Sequence, residues 1–126
     1  MGRILAIDYG EKRIGLAVSD ETKIIAQPKP YILNIEKQKL LNFIKANDIE
    51  EILLGLPIGL SGKDTKSTEK VRDFAFWLKE KTGLPIKFID ERFTTKEVTR
   101  LEKNKELIDS LVAQKLLDRY LLNPSK

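Results

Sequence analysis

The sequence predicts an α/β protein built on a mixed five-stranded sheet with helices on both faces. Three observations predict it. Strand-like apolar runs crowd the start of the chain, before any stretch of helical periodicity. The first, Ile4-Leu5-Ala6-Ile7, is apolar throughout, which suits a strand covered on both faces. Beyond Asn34, segments with helical spacing alternate with short apolar runs, the pattern of strands and helices stacked in layers.

Arg3–Ile7 reads as the first strand, and Asp8-Tyr9-Gly10-Glu11-Lys12 is turn chemistry. Arg13–Ser19 is then the returning arm of a hairpin. Lys23–Gln27 suits a third strand, closed by Pro28 and Pro30, and completes a three-stranded antiparallel start. Asn34 can cap a helix to about Ala46, with Leu40, Leu41 and Ile44 inward and Lys37, Lys39 and Lys45 outward. Glu51–Leu56 is a short apolar strand stopped by Pro57, and the loop "PIGLSGKDT" follows. Thr65 to Lys81 carries Val71, Phe74, Ala75 and Leu78 at helical spacing and ends at Gly83 and Pro85. Ile86–Ile89 is a strand with "DER" at its end. Thr94 and Glu97 form a capping-box pattern for a short helix carrying Val98 and Leu101, and a last helix runs from about Leu107 to Leu122. With no repeat, linker or low-complexity tract, residues 1–126 are expected to form a single domain.

Composition narrows the chemistry. The chain has no cysteine and no histidine, which excludes thiolate metal sites, imidazole ligands and a histidine general base. Catalysis must lean on carboxylates, Lys, Arg, Tyr or hydroxyls, or on a metal held by oxygen. A net charge of +4 mildly favours a polyanionic partner. The apolar start is too short for a secretory signal and no uncharged run could span a bilayer, so a cytoplasmic location is expected.

Three acids sit where an unpaired charge is expensive. Asp8 ends the first strand, Asp90-Glu91 ends the last, and Asp109 shares a helix face with Val112, Ala113, Leu116 and Tyr120. Singly, each has a plain structural account: a turn residue, a surface ion pair with Arg92 or Lys96, a complement to a helix dipole. Together, strand ends at one edge of a sheet and an inward-facing helix start can converge. Like charges brought together need a cation, and hard oxygen ligands suit Mg²⁺ or Mn²⁺.

Four blocks, "AIDYGEKRIGLAVSD", "LLGLPIGLSGK", "DERFTT" and "LIDSLVAQKLL", resemble in order those of the YqgF (RuvX) family. They cover most of the chain. The resemblance implies a ribonuclease H-like fold and a nuclease acting either on the 5′ end of precursor 16S rRNA or on Holliday junctions. It also implies an active site of Asp8, Glu91 (with Asp90 as the alternative) and Asp109, and a substrate lying beside the loop that carries Gly62 and Lys63. The middle strand, "EILLGLP", carries no acid at its end, where many ribonuclease H-like nucleases place one, so Glu91 must substitute from a later strand.

On this reading the three acids hold one or two metal ions that activate water for phosphodiester hydrolysis. Gly10 allows close approach, and Arg13 and Arg92 are placed either to hold phosphates or to pair with neighbouring acids. Lys63, Lys66, Lys70 and Arg72 form a basic cluster suited to a nucleic-acid backbone. Phe74, Phe76 and Trp77 are stacking candidates, although Phe74 fits the core stripe and Trp77 suits packing. "GLSGKDT" is no Walker A loop, because Pro57 and Asp64 stand where it needs Gly and Ser or Thr. Two rivals are a non-catalytic nucleic-acid-binding protein of the same fold and a phosphotransferase of the sugar-kinase and actin type. The second needs two such domains. A monomer or weak homodimer is expected, an obligate dimer favouring junction cleavage.

Overall fold

The computed structural model describes residues 2–57, 65–91, 98 and 104–122. Five strands form one sheet: β1 (Arg3–Tyr9), β2 (Arg13–Ser19), β3 (Ala26–Leu33), β4 (Ile49–Leu56) and β5 (Ile86–Asp90). Their spatial order is β3-β2-β1-β4-β5. The pairs β1–β2 and β2–β3 are antiparallel, whereas β1–β4 and β4–β5 are parallel. The mixed sheet predicted from the pattern is therefore present.

Helix α1 (Lys37–Ala46) connects β3 to β4, α2 (Lys66–Thr82) leads into β5, and α3 (Lys105–Leu122) follows. Strand alternation assigns the two faces. Leu5, Ile7, Ile52 and Leu54 meet Leu40 and Ile44 of α1 and Val71, Phe74 and Leu78 of α2. On the other face Ile4, Ala6, Ala17 and Leu53 lie under Ala113, Leu117 and Tyr120 of α3. The small residues Ala6 and Ala17 let α3 settle close to the sheet. Thr65 caps α2 in a capping box with Thr68, and Gly83 ends it in the left-handed conformation at φ 70°. Among the described residues no helix is long and apolar enough to cross a membrane.

Three local expectations change. Asp8 and Tyr9 are not turn residues: they extend β1, pairing with Gly15 and Ile14, so the hairpin turn shrinks to Gly10–Lys12. The third strand begins at Ala26 and contains Pro28 and Pro30, since an edge strand needs no inward donor from every residue. Lys23 instead occupies the turn, at φ 60°. Asn34 does not cap α1. It begins a 3₁₀ turn, is buried, and its Nδ2 donates to the Gly10 carbonyl at 2.7 Å, bracing the β1–β2 turn. The expected helix around Thr94, Glu97 and Leu101 lies outside the described residues, apart from Val98, which is helical and buried.

Candidate active site

Asp8 shares the strand parity of Ile4 and Ala6, which turns it toward α3. Opposite it on β2 stands Gly15. A Cβ there would lie 2.1 Å from the Asp109 carbonyl oxygen and 2.2 Å from the Asp109 carbonyl carbon. Only glycine lets the first turns of α3 cross β2 at this height. Ser110, the next residue, is buried and accepts the Leu16 N–H through Oγ at 3.3 Å, which fixes the helix in register with the strand.

Glu91 arrives from the far side of Asp8. Its N–H donates to the Leu56 carbonyl at 3.2 Å, carrying the parallel ladder one residue past β5. A Cβ on Gly55 of β4 would stand 3.1 Å from Glu91 Oε2 and 2.7 Å from Leu116 Cδ1. The glycine in the middle of an apolar strand thus makes the space that the Glu91 carboxylate fills. Glu91, rather than Asp90, is the acid hydrogen-bonded to Asp8. Asp90 ends β5, where its carbonyl accepts from Arg119 Nη2 at 2.8 Å.

The electrostatics follow from this crowding. Burial pushes the Asp8 carboxyl well above its usual range, and repulsion from Glu91, the hydrogen bond between the two and the charge of Asp109 push it further. Burial also raises Glu91, opposed by the hydrogen bond to Asp8 and aided by Asp90. A hydrogen bond between two carboxyls requires one of them to carry the proton, and the raised values of both favour that form. Asp109 is compensated differently. Arg13 Nε donates to its Oδ2 at 3.0 Å, and the guanidinium lies over the Tyr31 ring, 5.7 Å from the centroid.

Three carboxylates from a strand, a strand end and a helix are a hard-oxygen donor set, the chemistry that Mg²⁺ and Mn²⁺ require. A divalent cation would also relieve the raised carboxyls. Among the described residues, however, no three acids form a group that could hold a metal as they stand. Asp109 faces Arg13 in an ion pair, whereas Asp8 and Glu91 face each other.

Of the other expected site residues, Gly10 forms the tight turn, where a Cβ would lie 2.5 Å from the Arg13 carbonyl oxygen. Gly62, Lys63 and Arg92 lie outside the described residues. Lys70 pairs with Glu11, and Arg72 lies over the Phe88 ring at 5.9 Å. Phe74 is core, Trp77 is half-buried and stacked on it, and Phe76 is exposed. Sequence reasoning missed Tyr31, Ser110 and Gly55. Only Gly55 carried a signal, a glycine inside a buried strand.

The sequence profile of the RuvX family, described as Holliday junction resolvase, matches residues 2–123. The chain belongs to the RuvX family. It is 44% identical to a Koribacter versatilis protein named "Putative pre-16S rRNA nuclease", over 95% of this chain and 86% of that protein. A protein of the same name from Dictyoglomus turgidum is 38% identical over 96% of this chain and 97% of its own length. Among solved structures, Thermus thermophilus RuvC in complex with a Holliday junction substrate superposes with a TM-score of 0.59. That match has 13% identity and covers 99% of this chain and 97% of RuvC. At that identity the likeness carries the fold, which is the ribonuclease H-like one expected of a RuvX member.

Proposed function

We propose that this chain is a divalent-metal-dependent nuclease that hydrolyses phosphodiester bonds, with the 5′ end of precursor 16S rRNA as its substrate. The observation that carries the reading is the meeting of Asp8 and Glu91 in a half-buried contact, with Asp109 beside them on α3. A fold has no structural need to press two carboxyls against each other with partial loss of solvent. The names borne by the RuvX relatives from K. versatilis and D. turgidum support both the chemistry and the RNA substrate.

Asp8, Glu91 and Asp109 would hold Mg²⁺ or Mn²⁺. Such an ion supplies the Lewis acidity that activates water and offsets charge on the leaving oxygen. The chain's own residues prepare the site. The sheet holds Asp8 rigidly, Gly55 gives Glu91 its place, and Gly15 brings α3 down to deliver Asp109. Asp8 and Glu91 would hold the ion in their ionised forms, the proton between them passing to solvent. Arg13, on leaving Asp109, is placed to grip a substrate phosphate, and Tyr31 backs its guanidinium.

A second reading, cleavage of four-way DNA junctions, is favoured by the description of the RuvX family and by the likeness to RuvC. One experiment separates them: an end-labelled structured RNA and a four-way DNA junction, each incubated with Mg²⁺, Mn²⁺ or EDTA. Wild type is expected to cut the RNA in metal and not in EDTA, and Asp8→Asn to bind without cutting. Preferential junction cleavage would move the second reading ahead. Binding without cleavage by wild type in every metal would leave a nucleic-acid-binding module.

A further inference from the structure

Beside Asp8, but on the opposite face of the sheet, Tyr9 opens onto a cleft of about 380 Å³ between the end of β1 and helices α1 and α2. Its lining is Tyr9, Lys37, Lys70, Asp73, Phe74 and Trp77. The three aromatics pack in series, Tyr9 tilted on Phe74 and Phe74 stacked with Trp77. Tyr9 and Phe74 have centroids 4.3 Å apart, and Phe74 and Trp77 lie 5.8 Å apart with planes inclined by 24°. Phe74 is buried and serves as the floor, whereas Tyr9 and Trp77 are half-buried and show part of their rings to the cleft. Around this apolar surface stand two ammonium groups and one carboxylate.

We propose that this cleft is a nucleotide subsite that takes one unpaired base of the substrate strand next to the scissile bond. The base would stack on Tyr9 and Trp77, Asp73 would accept from a base N–H, and Lys37 and Lys70 would neutralise the flanking phosphates. The inference rests on the nuclease reading and names its substrate class, a single-stranded segment. Stacking walls with cations at the rim are what single-strand recognition uses, because every base offers a π-face whatever its sequence. An apolar protein side chain would use the aromatic walls but leave the lysines and Asp73 without matching groups.

Both lysines occupy positions from which they can turn to a phosphate. Lys70 sits in the second turn of α2 and pairs with Glu11, an exposed contact that water and salt weaken. Lys37 opens α1 and donates to Asn34, the same residue that braces the β1–β2 turn through the Gly10 carbonyl. The cleft, the turn and the carboxylates therefore surround one end of β1. A strand crossing that end can place a phosphate at Asp8 and a base at Tyr9.

The chain contains one tryptophan, so Trp77 emission reports this cleft and nothing else. Asp8→Asn protein, which should bind without cutting, is titrated in Mg²⁺ with short labelled oligoribonucleotides, and anisotropy and Trp77 emission are followed together. Quenching is expected to saturate with anisotropy. A single abasic position moved along the strand should weaken binding about tenfold and abolish quenching at one place only. Lys37→Ala and Lys70→Ala should each lower the slope of log K against log salt by about 0.7. If anisotropy reports binding while Trp77 emission stays constant with every strand, the subsite is overturned and nucleic-acid binding stands. If neither signal moves with any RNA, the RNA nuclease reading falls along with it.

Discussion

Arg13 Nε and Asp109 Oδ2 are 3.0 Å apart, so the one acid of the site that is not paired with another carboxylate is paired with a base. The contact joins β2 to α3 across most of the chain's length. Its side chains are 36% and 24% exposed, which limits its worth to about 1 kcal/mol or less. That is weak enough to be exchanged. Arg13→Ala is expected to free Asp109 and tighten Mn²⁺ binding by up to about fivefold, measured by calorimetry without nucleic acid. Oligonucleotide affinity should fall in the same variant. Unchanged or weaker Mn²⁺ binding would mean that Asp109 is no ligand.

Gly15 and Gly55 flank Asp8 on the same face, yet their substitution by alanine should fail in different ways. At Gly15 the new Cβ meets the backbone of Asp109 at 2.1 Å, and α3 must move as a body. Gly15→Ala should cost about 3 kcal/mol or more, the upper end for overpacking, read by urea unfolding. At Gly55 the nearest atom is the end of the Leu116 side chain at 2.7 Å, which can rotate, and then Glu91 Oε2 at 3.1 Å. Gly55→Ala should cost only about 1 kcal/mol but displace Glu91, so cleavage should fall far more than stability. Equal losses in both variants would remove Gly55 from the site.

Far from the acids, Tyr120 provides the control. Its hydroxyl accepts from Lys87 Nζ at 2.8 Å and donates to Glu51 Oε1 at 3.3 Å, tying the last turns of α3 to β4 and β5. Tyr120→Phe leaves the Lys87–Glu51 pair, 3.3 Å apart, to close on itself. A loss of about 1 kcal/mol in unfolding free energy is expected, with metal binding and cleavage unchanged. A fall in cleavage would show that Asp109 depends on the whole length of α3 and not on Gly15 and Ser110 alone.

The sheet and its helices were legible because burial on two faces leaves uninterrupted apolar strands, as in Ile4–Ile7 and Ile52–Leu56. Asp109 was legible because helical spacing put a charge on an apolar face. What escaped were the relationships that only tertiary packing creates. Pro28 and Pro30 read as a stop, but β3 lies at the edge of the sheet, where a strand accommodates residues without an N–H donor. Asp8 read as a turn residue, because nothing local shows that Gly15 stands opposite to accommodate it. Arg13 read as either a phosphate ligand or the partner of a neighbouring acid; the acid it meets, Asp109, lies far along the chain, while Lys70 takes the nearby Glu11.

The shared proton of Asp8 and Glu91 makes a pH signature. Burial raises both carboxyls, so the folded chain holds protons that the unfolded chain, with aspartate near 3.8, releases. The contribution of this pair to stability is therefore fully present below the ordinary carboxylate range, declines as pH rises through the raised folded values, and then levels off. Asp8→Asn removes the penalty. In EDTA the variant should melt a few degrees above wild type at about pH 8, with the gap closing toward about pH 4. Saturating Mn²⁺ should stabilise wild type at the higher pH and leave Asp8→Asn nearly unmoved, because only the ionised cluster binds the cation. Melting temperatures of the two proteins across that range, with and without metal, decide it. Parallel profiles would mean that Asp8 keeps no unusual proton, and that its burial against Glu91 is relieved by something other than a metal.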